Sequence, residues 1–201
     1  MKSITGEITD SLVEGGAVAE DERNMYLYCV EGLIEMTANI LLTLIFGLVI
    51  GKFIETLIFL LIIIPLRSMG GGFHAESGKV CFIFSLSVYL ITIFSAGALS
   101  ETLNYRHSLW LYIVCAAFIL LTAPVDSKNK RISAEEKKKF KRICFFIMLP
   151  ISLIFIAVWI FNLWGICYLI SCCLAAVSIL LLLGIAKNIT VRRRSRNHSK
   201  R

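Results

Sequence analysis

Six apolar runs, separated by short polar breaks, set the pattern of this chain. They cover about residues 34–50, 53–66, 80–99, 109–125, 143–161 and 164–186. A helix that crosses the hydrocarbon of a bilayer needs about 20 mostly apolar residues. The third, fifth and sixth runs reach or approach that length. The first two are short, and neighbouring residues or a re-entrant path would have to make up the difference. Gly51-Lys52 and Asn162-Leu163 are breaks too short for anything but a tight hairpin. Before the first run, Ile4, Ile8, Leu12 and Val13 recur at roughly helical spacing among Glu7, Asp10 and Glu14. That pattern predicts an amphipathic helix on the membrane surface, broken at Gly15-Gly16. No apolar core follows Lys2, so no secretory signal is expected there.

Composition agrees with the pattern. Of 201 residues 57% are hydrophobic and only 17% charged, and the mean hydropathy is +0.78. A soluble core of this length cannot hide so much apolar surface. The expected fold class is therefore an all-α integral membrane protein of about six transmembrane helices. It forms one domain over 1–201, with an N-terminal amphipathic segment at 1–32 and a basic tail at 187–201. No internal repeat is visible.

Charge fixes an orientation. Segment 126–142 carries eight Lys and Arg, and the part after Ala186 carries seven more. Basic loops stay in the cytoplasm. Six spans with both termini inside then put Arg67 and the glycine-rich loop after it inside, and Lys52 and 100–108 outside. The net charge of +7 suits an anionic leaflet. No basic face interleaved with aromatics suggests nucleic acid. The seven cysteines are an odd number, mostly within apolar runs, with no paired CxxC spacing. They read as isolated thiols rather than a disulfide framework or metal site.

Candidate chemistry sits in the break between the second and third runs: Arg67-Ser68-Met69-Gly70-Gly71-Gly72-Phe73-His74-Ala75-Glu76-Ser77-Gly78-Lys79-Val80-Cys81. Arg, His and Cys seldom gather at the end of a span without a use. A thiol is an effective nucleophile only as thiolate. The start of a helix and a nearby imidazole both favour that form. Seven residues of straight helix rise about 10.5 Å, against a hydrogen-bond reach of about 3 Å. Residues 74–81 therefore cannot be one straight helix if His74 and Cys81 of one chain are to work as a dyad, and Gly78 is the expected bend. On spacing alone, a loop histidine and a capping-turn cysteine with no shared role are the favoured reading. Glu31, Glu35 and Glu55 lie near span ends, within reach of headgroups. Cys172-Cys173 reads as a helix-packing pair.

The stretch from Arg67 to Ala75, with Cys81 following, resembles the signature of the accessory gene regulator B (AgrB) family. That signature is Arg, a few residues, Gly-Gly, an aromatic, His-Ala, then Cys seven after the His. This chain departs from it in having three glycines before Phe73. Ala123-Pro124-Val125-Asp126 and Glu135-Glu136-Lys137-Lys138-Lys139 are similar to the family as well. The resemblance implies a membrane cysteine endopeptidase of Gram-positive quorum sensing. Cys81 would be nucleophile and His74 general base. An AgrD-like precursor peptide would be cleaved at its C-terminal side through an acyl-enzyme thioester, and its cyclisation to a thiolactone or lactone autoinducing peptide supported. It further implies a homodimer in the cell membrane, in contact with lipid, needing no cofactor and no metal. Arg67, Gly71 and Gly72 are candidate substrate contacts, as are Lys137, Lys138 and Lys139. A small transporter or exporter, or a non-enzymatic membrane scaffold, is the competing class.

Overall fold

The computed structural model describes residues 2–17, 19–70, 78–123 and 134–198; for 2–4, 69–70, 78–81, 134, 136–137 and 187–198 it describes the backbone alone. Among the described residues the chain is helical, with no strand. The helices are α1 (Lys2–Glu14), α2 (Arg23–Val49), α3 (Phe53–Gly70), α4 (Gly78–Thr102), α5 (Arg106–Thr122), α6 (Ala134–Ile160) and α7 (Trp164–His198). They fall into two compact units, Met1–Phe46 and Gly47–Arg201.

In the first unit the amphipathic pattern forms α1, and Gly16 ends the turn after it at φ +69°, a conformation that costs glycine nothing. Arg23 Nε donates to Asp10 Oδ1 at 2.7 Å, which ties α1 to the start of α2. Within α2, the hydroxyls of Thr37 and Thr43 donate to the carbonyls of Leu33 and Asn39, one turn back. Such self-satisfaction lets a polar side chain sit in an apolar helix.

The second unit is organised on α7, which packs against α3, α4, α5 and α6. Every residue from 167 to 174 is buried. Small residues along its middle, Ser171, Cys172, Cys173, Ala175 and Ala176, let its neighbours pack closely on it. Its buried hydroxyls are paired. Ser171 Oγ donates to the carbonyls of Ser108 and Cys167, each at 2.9 Å, and Tyr168 Oη to the carbonyl of Asn104 at 2.7 Å. Cys172 and Cys173 are buried in the same stretch. Between α5 and α6, Ser152 places its own proton on Met148, so Tyr112 donates to Ser152 at 2.7 Å. Tyr112 also stacks on Phe155.

Among the described residues, four segments are long and apolar enough to cross a membrane: Glu20–Val49, Phe82–Thr102, Lys138–Ile160 and Trp164–Ala186. The expected count was six. Helices stand where the other two were expected, but α3 has 18 residues and α5 has 17. At 1.5 Å per residue they rise about 27 and 25 Å, less than a hydrocarbon core of about 30 Å. The first span also differs from its apolar run, since α2 begins at Arg23 rather than near Ile34.

In the second unit one contact governs the turn that leads into α3. The chain turns at Gly51, φ +69°, and the Lys52 amide bonds back to the Gly47 carbonyl at 2.8 Å. A Cβ at Gly47 would stand 2.8 Å from the Cβ of Thr56. Thr56 cannot retreat, because it is fully buried. Its hydroxyl donates to Lys52 and accepts from Tyr89, both at 2.7 Å. Gly47→Ala is therefore expected to destabilise the protein by about 1–3 kcal/mol, the usual cost of overpacking. Thermal unfolding in detergent checks this, with Gly97→Ala, where nothing stands within 4 Å of an added Cβ, as the harmless control.

Candidate active site

The site is approached from the two helix ends that flank the polar break. α3 runs through Pro65, which interrupts its hydrogen-bond ladder near the end, and carries Arg67 in its last turn. α4 begins at Gly78, the expected bend, and holds Cys81 as its fourth residue. The N-terminal turn of a helix concentrates unpaired amide N–H groups and the positive end of its dipole, both of which favour a thiolate. His74, Gly71 and Gly72 lie in 71–77, outside the described residues, as does the Cys81 side chain.

Arg67 and Ser85 bring the two helices together at this end. The guanidinium donates to Ser85 Oγ at 3.3 Å. Nearby hydroxyls behave differently: Ser68 donates to the Pro65 carbonyl and Ser87 to the Ile83 carbonyl, each within its own helix. Ser85 is not singled out by the sequence pattern. The signal for it is its place one turn after Cys81, at the i+4 position that shares a helix face.

Six of the seven cysteines are described at the level of side chains. Cys29 is exposed, while Cys115, Cys144, Cys167, Cys172 and Cys173 are buried. Cys167 is also the fourth residue of its helix, so a helix start alone does not mark a nucleophile. Cys167 is fully buried; Cys81 adjoins the polar break. No group of three or more His, Cys, Asp or Glu able to hold a metal occurs among the described residues. Glu55 pairs with Lys52 at 3.1 Å, which gives it a structural use at the hairpin.

The basic segment begins α6. Lys138, Lys139, Lys141 and Arg142 are exposed, and the Lys137 side chain lies outside the described residues. Its distance from the catalytic candidates follows from the opposite end of the bundle. There Tyr105 stacks on Trp164 at 4.6 Å and meets Trp159 edge-on at 5.5 Å, so the α4–α5 and α6–α7 turns share one end. Asn104 caps α5 there, its Oδ1 accepting from the Arg106 amide at 3.1 Å. α4 and α6 both run from the far end toward these turns. Cys81 and the lysines therefore occupy the same end of the unit, opposite the aromatic cluster. Clustered Tyr and Trp are the usual mark of a membrane interface.

Comparison with known proteins agrees with the motif. A family model described as accessory gene regulator B matches residues 5–190. An AgrB-like protein 2 from Clostridium perfringens strain 13 (type A) is 32% identical over 124 residues, which cover 59% of this chain and 58% of the relative. A second AgrB-like protein, from strain SM101 of that species, is 31% identical over 124 residues with the same coverage. The chain thus spans less than two thirds of the length of the relatives it matches. No solved structure matches.

The shared end of the two turns is directly testable. Cysteines placed at Leu103 and Leu163, both exposed, are expected to react with a membrane-impermeant thiol reagent from one side of the membrane. A cysteine at Glu135 is expected to react from the other, each counted above the unsubstituted protein. Labelling of 103 and 163 from opposite sides would contradict the packing of Tyr105 on Trp164.

Proposed function

The chain belongs to the accessory gene regulator B family, and on that footing we propose that it is a membrane cysteine endopeptidase. It matures a small precursor into a cyclic autoinducing peptide for quorum sensing. The observation that carries this reading is the family match across 5–190, which encloses the whole Arg67-to-Cys81 motif.

Cys81 is the nucleophile and His74 the general base. His74 takes the thiol proton as Sγ adds to a precursor carbonyl, then returns it to the departing amine of the C-terminal tail. The tail leaves and the rest of the precursor is held as a thioester on Cys81. A thiol or hydroxyl within the precursor attacks that thioester, closes the ring and frees Cys81. Exchange of one thioester for another is close to neutral in energy, whereas hydrolysis is downhill. The site must therefore keep water away, and a position at the membrane surface between apolar helices does so. Gly71 and Gly72 allow backbone to approach the precursor closely. Lys137, Lys138 and Lys139 dock an acidic part of it, in a segment where eight basic residues face three acidic ones.

The same reading supplies the topology. Six helices cross or enter the bilayer, with α3 and α5 as the short members, and both termini and the catalytic loop are cytoplasmic. Two copies of the chain form the working unit.

The test is processing of a co-expressed precursor. Cys81→Ala is expected to abolish it and His74→Ala to reduce it at least about 100-fold, with membrane insertion unchanged. Cys29→Ala and Cys144→Ala are expected to process normally. Normal processing by Cys81→Ala would remove the peptidase reading and leave the transporter or scaffold classes.

A further inference from the structure

We propose that Arg67 and Ser85 form a clip that holds the last turn of α3 to the start of α4, the helix that carries Cys81, and so speeds the reaction of Cys81. This rests on the assignment of Cys81 as nucleophile and His74 as base, and adds a residue to it. The bond joins the last turn of α3 to the second turn of α4. Everything between its two ends is the motif itself. His74 stands midway, seven residues after Arg67 and seven before Cys81.

Such a clip has a purpose. α3 and α4 each pack on α7, and they also meet where Tyr89 touches Phe59 and Thr56. Thr56 lies eleven positions before Arg67 on α3, which is about 16 Å of helix. The Arg67–Ser85 bond is a second tie between the two helices, at the end that carries Cys81. Reaction between two groups is fast only when their separation and angle are held, and small misplacements cost large factors in rate. A bond across the two helix ends holds those ends at a fixed separation. Arginine suits the task, because its fork of donors stays charged at all working pH values and keeps a fixed plane. Ser85 suits it too. Its register places it on the α4 face that includes position 81, so a pull on Ser85 sets how that face meets α3.

The clip differs in kind from a contact between Arg67 and a precursor carboxylate, and a neutral acyl donor separates the two. With 4-nitrophenyl acetate, the Cys81 sulfur attacks the ester carbonyl, 4-nitrophenolate leaves, and the acetyl group stays on Cys81 while His74 takes the thiol proton. The full chain is reconstituted in lipid nanodiscs, and acetylation is read at each cysteine-containing peptide by mass spectrometry, with exposed Cys29 as internal control. Ser85→Ala and Arg67→Gln are each expected to slow Cys81 acetylation about tenfold, the scale of one charged hydrogen bond, with Cys29 unaffected. The double variant is expected to be no slower than Arg67→Gln alone, and Ser85→Thr, which keeps the hydroxyl, to restore the rate. A purely structural loss of packing would give neither the rescue nor the non-additivity. Unchanged acetylation in Arg67→Gln, or additive losses, overturns the clip. Should Ser85→Ala fail to accumulate in the membrane, Arg67→Gln and its effect on Cys81 decide alone. His74→Ala, run alongside, keeps the two assignments apart. If it leaves Cys81 acetylation unchanged, the dyad is wrong; if it slows acetylation while Ser85→Ala does not, only the clip is wrong.

Discussion

In a bilayer no hydrophobic effect draws one helix to another, because lipid tails are as apolar as leucine. α7 must hold its four neighbours by close packing and by hydrogen bonds. It does so with small and polar residues: Ser171, Cys172, Cys173, Ala175, Ala176 and Ser178 succeed one another along its middle. Ser171 and Tyr168 reach carbonyls at the start of α5 and in the turn before it, where a polar group in lipid would otherwise go unpaired. Remove that axis and α3, α4, α5 and α6 lose the surface they share. The positions of Arg67 and Cys81 relative to each other depend on it, since the helices that carry both residues lean on α7.

The two ends of the second unit are built for different tasks. One end is closed by tight turns and a cluster of Tyr105, Trp159 and Trp164, with Asn162 in the left-handed conformation at φ +58°. It is rigid, aromatic and capped. The other end carries the polar break, the start of α4 and the exposed lysines of α6. The first turn of α4, which holds Cys81, and the Arg67–Ser85 bond both lie at this end.

Much of this was legible in the chain. Helix-length apolar runs announce themselves, because a segment in hydrocarbon must be apolar throughout. The motif around His74 and Cys81 was legible as an unusual gathering of polar groups between two such runs, and the next helix was expected to start near Cys81, three residues after the Gly78 at which α4 begins. The central place of α7 was not. Lipid-facing and protein-facing residues are both apolar, so periodicity does not tell them apart; only the run of small and polar residues in α7 hinted at it. The lengths of α3 and α5 were obscured in the same way, since composition marks where an apolar stretch lies but not where its hydrogen-bonded ladder ends. Ser85 was hidden because a serine in an apolar helix ordinarily bonds to its own backbone, as Ser87 does.

The account stands on a covalent intermediate at one sulfur among seven. The most direct measurement is an acid quench of the reconstituted protein during turnover of its precursor, followed by intact-mass and peptide-level mass spectrometry. The result expected is a hydroxylamine-labile adduct on Cys81 whose mass equals the precursor without its C-terminal tail, rising and falling as cyclic product accumulates. Product formed with no adduct, or with the adduct on another cysteine, would contradict it.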